Sequence, residues 1–131
     1  MGDRIIRAVT CDGAVKISAI SGRDMVNEAV KLKNLTPLTA AALGRCLLAA
    51  SMLGNDLKGE DNSLTLRIDG DGPIGTIVAV SDSGGNTRGY CQNAYADLPV
   101  RPDGKIDVSG GVGKSGSISI IKDLGLKEPY I

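Results

Sequence analysis

The residues that could do chemistry in this 131-residue sequence lie mainly in two glycine-rich segments and at three cysteines. Residues 70–75 satisfy G-x-G-x-x-G directly after a predicted strand, which is the pattern of a dinucleotide-binding turn. That chemistry requires a helix next, because the free N–H groups of its first turn contact the pyrophosphate. Here a strand-like segment follows, and Pro73 lacks an N–H. We therefore predict a turn between two strands.

The second glycine segment runs from Gly110 to Ser115 and ends like a P-loop, in which backbone amides and a lysine hold phosphates. The P-loop pattern needs a glycine five residues before Gly113, where this sequence has Val108. Strand-like residues rather than a helix follow the segment. We interpret it as a flexible loop. A phosphate- or nucleotide-binding domain that uses the amides of this loop is the alternative function.

Two pairs of carboxylates, Glu60 with Asp61 and Asp69 with Asp71, have the close spacing found in glycosidases and magnesium sites. Both pairs fall in predicted turns, where aspartate also supports the turn backbone. We interpret all four as solvated turn residues and assign no catalytic residue.

The chain has no histidine and only three cysteines, Cys11, Cys46 and Cys91, without a C-x-x-C pair. The lack of histidine removes the most usual general base and the usual nitrogen ligand of zinc. The scattered cysteines indicate neither a disulfide framework nor a metal clamp, and they fit a reducing, cytoplasmic compartment. We therefore predict no enzyme activity, no metal site and no cofactor in this chain.

The charge and hydropathy of the sequence argue against nucleic-acid and membrane partners. Fifteen Lys and Arg balance fifteen Asp and Glu, so bulk charge does not favour phosphate binding. Residues 38–57 are apolar enough to suggest a membrane span, but Arg45, Asn55 and Asp56 make insertion costly. We predict a buried helix instead, and expect Arg45 to find a carboxylate or carbonyl partner.

The elements that position these residues begin with a predicted β-hairpin. Asp12-Gly13 is the preferred pair for a two-residue type I′ turn. Pairing around that turn places Ile6 opposite Ala19 and Ala8 opposite Ile17, on a face that we expect to be core.

Two helices are predicted after the hairpin. The first follows a capping-box pattern at residues 21–24 and ends near Asn34. The second begins at Thr36, a good N-cap, with Pro37 at the first helical position.

β-branched alternation replaces helical spacing after Lys58. The segments SLTLRID, TIVAVSD and NTRGYCQ predict a meander, residues 94–116 a loop, and SISIIKD a further strand without an obvious partner. The predicted fold class is α+β, a mostly antiparallel sheet with an N-terminal hairpin and the apolar helix packed on it, in one domain.

Four segments occur in an order that is far more specific than either glycine motif alone. They are TAAALGRCLLAASMLGNDLKGEDNSLTLRIDGDGPIGTIVAVSD at 39–82, GNTRGYCQN at 85–93, DLP at 97–99 and GKIDVSGGVGKSGSISIIKDLGLKEPY at 104–130. Together they resemble the N-terminal part of the redox-regulated chaperones of the heat-shock protein 33 family, over nearly the whole chain. The resemblance also explains both glycine motifs as turns and loops.

This resemblance implies an ATP-independent holdase chaperone that binds unfolding client proteins during oxidative and heat stress. It further implies a separate C-terminal redox switch, in which four cysteines in C-x-C and C-x-x-C pairs bind zinc and release it on forming two disulfides. None of the three cysteines here matches those ligands, which lie beyond Ile131. We expect residues 1–131 to be a partial N-terminal, client-binding domain without that zinc module.

Two partners are expected: unfolded clients and, through strand pairing or exchange at an exposed sheet edge, a second copy of the chain. The sequence does not indicate which surface binds clients.

Overall fold

Two antiparallel sheets and three helices make up residues 2–131, the part of the chain that the computed structural model describes. The elements are β1 (Arg4–Val9), β2 (Lys16–Ser21), α1 (Arg23–Lys33), α2 (Pro37–Asn55), β3 (Ser63–Gly70), β4 (Thr76–Asp82), β5 (Thr87–Cys91), α3 (Val108–Val112) and β6 (Gly116–Asp123). β1 and β2 form a two-stranded sheet by themselves. The other strands are ordered β5-β4-β3-β6. The predicted α+β fold, with its N-terminal hairpin and packed apolar helix, is confirmed.

α2 is the helix around which the core forms. Its N-terminus is capped as predicted, because the Thr36 side chain accepts a hydrogen bond from the Thr39 N–H and Pro37 needs no partner there. α2 packs on β3, β4 and β5. Its length and hydropathy would suit a membrane span, yet more than half of its most apolar window is buried in the fold. The core contains Leu38, Ala42, Leu43, Leu47, Ala50, Leu64, Leu66, Ile74, Ile77 and Ala79.

The end of α2 approaches the β4–β5 turn closely because its residues there are small. The Ser51 hydroxyl donates to the Gly85 carbonyl at 2.6 Å. A Cβ on Gly54 would collide with the side chain of Ser81 and lie 2.6 Å from the Asp82 carbonyl oxygen. These contacts fix α2 over the β4 side of the sheet.

Arg45 lies on the exposed side of α2, so the expectation of a buried, paired arginine is wrong. The side chains of Leu43, Cys46 and Leu47 are buried around it, but this side of the helix faces solvent. A hydrated guanidinium needs no carboxylate partner.

α1 is capped differently from the prediction. Gly22 is its N-cap and makes no side-chain bond. The Asp3 carboxylate instead accepts hydrogen bonds from the backbone N–H groups of Asp24 at 3.0 Å and Met25 at 2.7 Å. The negative charge of a carboxylate at a helix N-terminus also interacts favourably with the positive end of the helix dipole, which stabilises the helix. The predicted end near Asn34 is confirmed, since Asn34 adopts the left-handed conformation that ends the helix.

The hairpin has the predicted register, with Ile6 opposite Ala19 and Ala8 opposite Ile17. Its turn is wider than predicted. The Gly13 N–H donates to the Thr10 carbonyl, and of the residues between the strands only Gly13 has a positive φ, 73°. A type I′ turn needs two such residues, so that turn type is wrong.

The prediction of which hairpin face belongs to the core is also wrong. Ile6 and Ile17 are 56% and 54% exposed. The opposite face, which carries Ile5 and Ile20, lies against the rest of the domain, and Lys16 on that face pairs with Asp56 after α2. Both faces carry apolar residues, so alternation alone does not decide which one is covered.

The segment predicted as a loop contains the short helix α3, capped by the Asp107 carboxylate on the Gly110 N–H at 2.9 Å. β6 does find a partner, since it adds to the outer edge of β3 along its whole length. The prediction of an unpartnered strand there is wrong because the pairing joins residues about fifty positions apart.

Candidate functional site

The two glycine motifs, which the sequence presents as separate candidate phosphate sites, contact each other. The Gly72 N–H donates to the Val112 carbonyl at 3.0 Å, and the Ile74 N–H donates to the Gly111 carbonyl at 3.1 Å. The first motif joins β3 to β4 as predicted, and the second joins α3 to β6. Both motifs therefore form one hydrogen-bonded double loop.

The carboxylate of Asp71 accepts hydrogen bonds from the backbone N–H groups that a phosphate would need in the second glycine motif. Its Oδ1 accepts hydrogen bonds from the Lys114 N–H at 2.9 Å and the Ser115 N–H at 3.2 Å. The bond from Ser115, followed by that from Lys114, lowers the pKa of Asp71 below its usual value, so the anion is present at neutral pH. These two amides are not available to a nucleotide, which removes the main support for the alternative function.

Of the other paired carboxylates, Asp69 lies within β3 and not in the predicted turn. Asp69 accepts from the Arg67 Nε at 2.7 Å and the Thr76 hydroxyl at 2.8 Å, and these bonds, Arg67 first, lower its pKa. Glu60 and Asp61 lie in the turn before β3. Within residues 2–131 no three His, Cys, Asp or Glu side chains come together as a metal site.

The three cysteines do not form a zinc site. Cys11 is exposed at the hairpin turn, whereas Cys46 and Cys91 belong to the core. Burial raises the pKa of Cys46, and burial with the added influence of Cys46 raises the pKa of Cys91 to about 11. Both core thiols are protonated at neutral pH, and thiols of this kind are poor nucleophiles and poor metal ligands.

Exposed apolar surface is the remaining feature with functional potential. The accessible surface is 8404 Å². A compact globule of this mass would expose roughly 6,500 Å². This surface includes two rows of exposed aliphatic side chains, each on one pair of strands.

The first apolar surface, here called the β6 strip, consists of Ile68, Ile118 and Ile120. Ile118 lies opposite Ile68, and Ile120 lies opposite the buried Leu66, so all of them share the side of the sheet on which α2 packs. α2 does not reach this edge, and Ile118 and Ile120 are 67% and 36% exposed.

The second apolar surface, here called the hairpin face, is the outward side of β1 and β2. It is composed of small and β-branched aliphatic residues whose pairing is regular, and none is covered by another element. Its members are Ile6, Ala8, Val15, Ile17 and Ala19.

Comparison with known protein families shows to which family the chain is related. The chain matches the family described as Hsp33 protein over residues 3–131. The chain belongs to the Hsp33 family. The 33 kDa chaperonin of Caldanaerobacter subterraneus subsp. tengcongensis is 48% identical over all 131 residues, and that of Clostridium acetobutylicum is 45% identical. The chain spans 45% and 44% of the length of these two relatives, less than half in each case.

A solved structure shows the same fold. The 33 kDa chaperonin (heat shock protein 33 homolog) of Thermotoga maritima superposes with a TM-score of 0.89 at 37% identity, over 96% of this chain and 43% of that one. The resemblance read from the sequence is therefore confirmed.

Sequence reasoning identified the family but not the two apolar surfaces. The signal for the β6 strip was present in the segment SISIIKD, which alternates small polar and aliphatic residues without a charge before Lys122. What the segment could not show is that α2 covers β4 and leaves this strand open.

Proposed function

We propose that residues 1–131 form a partial N-terminal, client-binding domain of an ATP-independent holdase chaperone. The observation that carries the proposal is the combination of the β6 strip and the hairpin face with a fold that belongs to the Hsp33 family. In this proposal the chain binds unfolding proteins during heat and oxidative stress and keeps them from aggregating. It acts in the cytoplasm and is not an enzyme.

The physical basis is the burial of apolar area without a shaped pocket. Each 100 Å² of apolar surface removed from water contributes about 2.5 kcal/mol. A folded protein exposes few large aliphatic side chains in contiguous rows, whereas an unfolded chain exposes many. A surface of isoleucine and valine therefore favours unfolded partners without recognising one sequence.

The redox switch of the proposed function is assigned to a zinc module outside residues 1–131. Two buried, protonated thiols and one exposed cysteine do not supply the four thiolate ligands of such a module. We therefore propose that the chain itself holds clients without an oxidative trigger, and that zinc is not its cofactor.

A homodimer is the second partner in the proposal. β1 and β2 form a two-stranded sheet with a free edge on each side, and such edges can pair with or exchange into another copy. Nucleic acid and membrane are not proposed as partners, because the net charge is zero and the most apolar helix is the core helix.

The test of the proposed function is light scattering of a heat-denatured client enzyme, with and without hydrogen peroxide. We expect the chain to suppress aggregation equally in both conditions. Absence of suppression in both would overturn the proposal. Titration calorimetry with ATP tests the alternative function, and we expect no saturable heat because Asp71 fills the loop.

A further inference from the structure

We propose that a cavity between α2 and the loop before α3 binds acidic segments of unfolding clients, an assignment of the partner that rests on the proposed holdase function. The cavity has a volume of about 550 Å³ and is called here the cationic cavity, because Arg45, Arg101 and Lys105 line it. Cavities of roughly 300–1,000 Å³ are the usual size of ligand sites. The cationic cavity is therefore large enough to take several residues of a partner chain.

A tight turn in the loop brings Arg101 and Lys105 together. The Arg101 N–H donates to the Lys105 carbonyl at 2.9 Å, and the Gly104 N–H donates to the Arg101 carbonyl at 2.8 Å. Gly104 has a φ of 78°, in the left-handed region that glycine adopts without strain. The two basic residues therefore flank one turn, and both line the cationic cavity.

Arg45 reaches the cationic cavity from α2. It lies one helical turn after Ala41, so the two residues share a side of the helix, and both line the cavity. α3 packs closely against α2, since a Cβ on Gly111 would lie 2.8 Å from the Cδ1 of Leu38. This packing holds the loop beside α2, so that one cation from the helix and two from the loop line the same cavity.

The positive charge of the cationic cavity is not balanced by nearby carboxylates. No Asp or Glu is among its lining residues in the described chain. Asp103 pairs with Arg101 at 2.8 Å, and Asp107 caps α3. Within residues 2–131, Arg45 and Lys105 have no ion-pair partner. Because like charges that line one cavity repel each other, an anionic partner is stabilised there.

The partner that fits is a chain of carboxylates and aliphatic side chains. The turn itself shows how a carboxylate binds, because Asp103 accepts from the Arg101 guanidinium at 2.8 Å and from the Lys105 N–H at 3.0 Å. Aliphatic residues form part of the lining, namely Ala41, Ile106 and Val108. A single phosphate ion would fill only a small part of the cavity and would leave these residues uncovered.

An unfolded chain presents this chemistry. About a quarter of the residues of soluble proteins are charged, so extended segments commonly carry carboxylates between aliphatic residues. A folded protein buries most of those aliphatic side chains and cannot offer them together with the carboxylates. A flexible segment with several carboxylates can pair with cations of both α2 and the loop through charge-assisted hydrogen bonds.

The first test is titration calorimetry of the whole chain with a peptide of three Ser-Glu-Leu repeats. The matched control peptide has glutamine in place of every glutamate. We expect the dissociation constant of the control to be about tenfold or more higher at low salt, because each carboxylate pair contributes. The dissociation constant of the glutamate peptide should rise about fivefold or more in 0.5 M salt, where charges are screened. Equal dissociation constants for the two peptides, or binding that salt does not weaken, would overturn the inference.

The second test locates the binding site. Arg45→Gln and Lys105→Gln alter exposed side chains without an ion pair, so both variants should fold, which thermal unfolding checks. We expect each variant to raise the dissociation constant of the glutamate peptide about threefold or more. Arg88→Gln is the matched control, because it removes the same charge from β5, outside the cavity, and should change the dissociation constant less than about twofold. Equal effects of Arg88→Gln and Arg45→Gln would overturn the inference. Misfolding of one cavity variant leaves the other as the test.

The third test separates carboxylate recognition from attraction of any polyanion. The probe is a single-stranded oligothymidylate with the same number of negative charges as the glutamate peptide. No aromatic residue lines the cavity in the described chain, so the bases have no ring on which to stack, and we expect weaker binding than that of the peptide. Equal or tighter binding of the oligothymidylate would overturn the assignment to acidic polypeptide.

Failure of this inference is distinguishable from failure of the holdase proposal. Suppressed aggregation of a heat-denatured client without a preference for the glutamate peptide rejects the role of the cationic cavity alone. A preference for the glutamate peptide without suppressed aggregation supports the cavity as an acidic-peptide site and rejects the proposed function.

Discussion

β4 and β6 lie on opposite sides of β3, and their isoleucines are in very different environments. Ile77 of β4 and Ile118 of β6 both lie opposite Ile68, in one row across the sheet and on the same side of it. Ile77 is 1% exposed and Ile118 is 67% exposed. The difference arises because α2 packs over β4, where Gly54 and Ser51 allow close approach, and does not cover β6. The same residue type therefore stabilises the fold in one strand and leaves apolar surface exposed in the other.

The largest expected difference is in the free energy of unfolding when each of these two isoleucines is replaced by alanine. Ile77→Ala removes a fully buried side chain beneath α2 and should lower the free energy of unfolding by about 2–4 kcal/mol. Ile118→Ala should lower it by less than about 0.5 kcal/mol, because most of the side chain is already in water. Urea unfolding followed by circular dichroism measures both values. Equal losses of unfolding free energy in the two variants would show that Ile118 is buried in solution, which would contradict the difference between β4 and β6.

The contact that fixes α2 over β4 can be tested at Gly54. A methyl group there would meet Ser81 and the Asp82 backbone, so Gly54→Ala should destabilise the fold by about 1–3 kcal/mol despite the higher helix propensity of alanine. Gly44→Ala in the same helix is the matched control, since its methyl would meet only the side chain of Val26. The free energy of unfolding should fall less for Gly44→Ala. The reverse order would argue that α2 is fixed by α1 rather than by β4.

The stability of the double loop, which leads from α3 into β6, is expected to depend on pH through Asp71. The pKa of Asp71 is lowered in the fold, so its hydrogen bonds stabilise the protein above the unfolded pKa of about 4 and are lost as the pH falls through the folded pKa. Asp71→Ala should therefore be less stable than the wild type at pH 7, and the difference should shrink below about pH 4.

Thermal unfolding between pH 2 and pH 7 measures this difference. Asp61→Ala is the matched control, because the described structure gives the Asp61 side chain no hydrogen bond. If Asp71→Ala and Asp61→Ala have the same pH dependence, the carboxylate does not hold the loop.

The smallest expected effect concerns the attachment of the hairpin. Lys16 pairs with Asp56 at an exposed site, and the hydrogen bond from Lys16 is the main reason that the pKa of Asp56 is lowered. Lys16→Met keeps the aliphatic stem and should lower the free energy of unfolding by less than about 0.5 kcal/mol. The loss should disappear in 1 M salt, where surface charges are screened. A salt-independent loss would indicate packing rather than charge.

Local signals in the sequence were sufficient for most elements. Thr36 with Pro37 marked the start of α2, Asn34 the end of α1, and alternation marked every strand of the sheet, because these signals act within a few residues. The first glycine motif is the predicted turn, whereas Gly110 to Val112 of the second belong to α3 and not to the predicted flexible loop. That they contact each other, and that Asp71 fills the amides of the second, follows from pairing between β3 and β6, which no local pattern reports.

Which apolar face is covered could not be predicted from the sequence. Ile5 and Ile6 are adjacent in β1, and only the position of α2 and the Lys16–Asp56 pair determines that Ile5 lies against the body and Ile6 faces solvent. The same holds for Asp3, whose capping of α1 depends on the hairpin returning the chain to that helix. Both outcomes are set by tertiary packing, which alternation and capping rules do not contain.

In the proposed function, the apolar surface that α2 leaves uncovered holds unfolded proteins. The most direct measurement is light scattering of a heat-denatured client with the double variant Ile118→Ser, Ile120→Ser, compared with Val100→Ser, which alters a similarly exposed residue in the loop after β5. The account predicts that the double variant loses most of its suppression of aggregation and that Val100→Ser keeps it. Full suppression by a folded double variant would contradict the account.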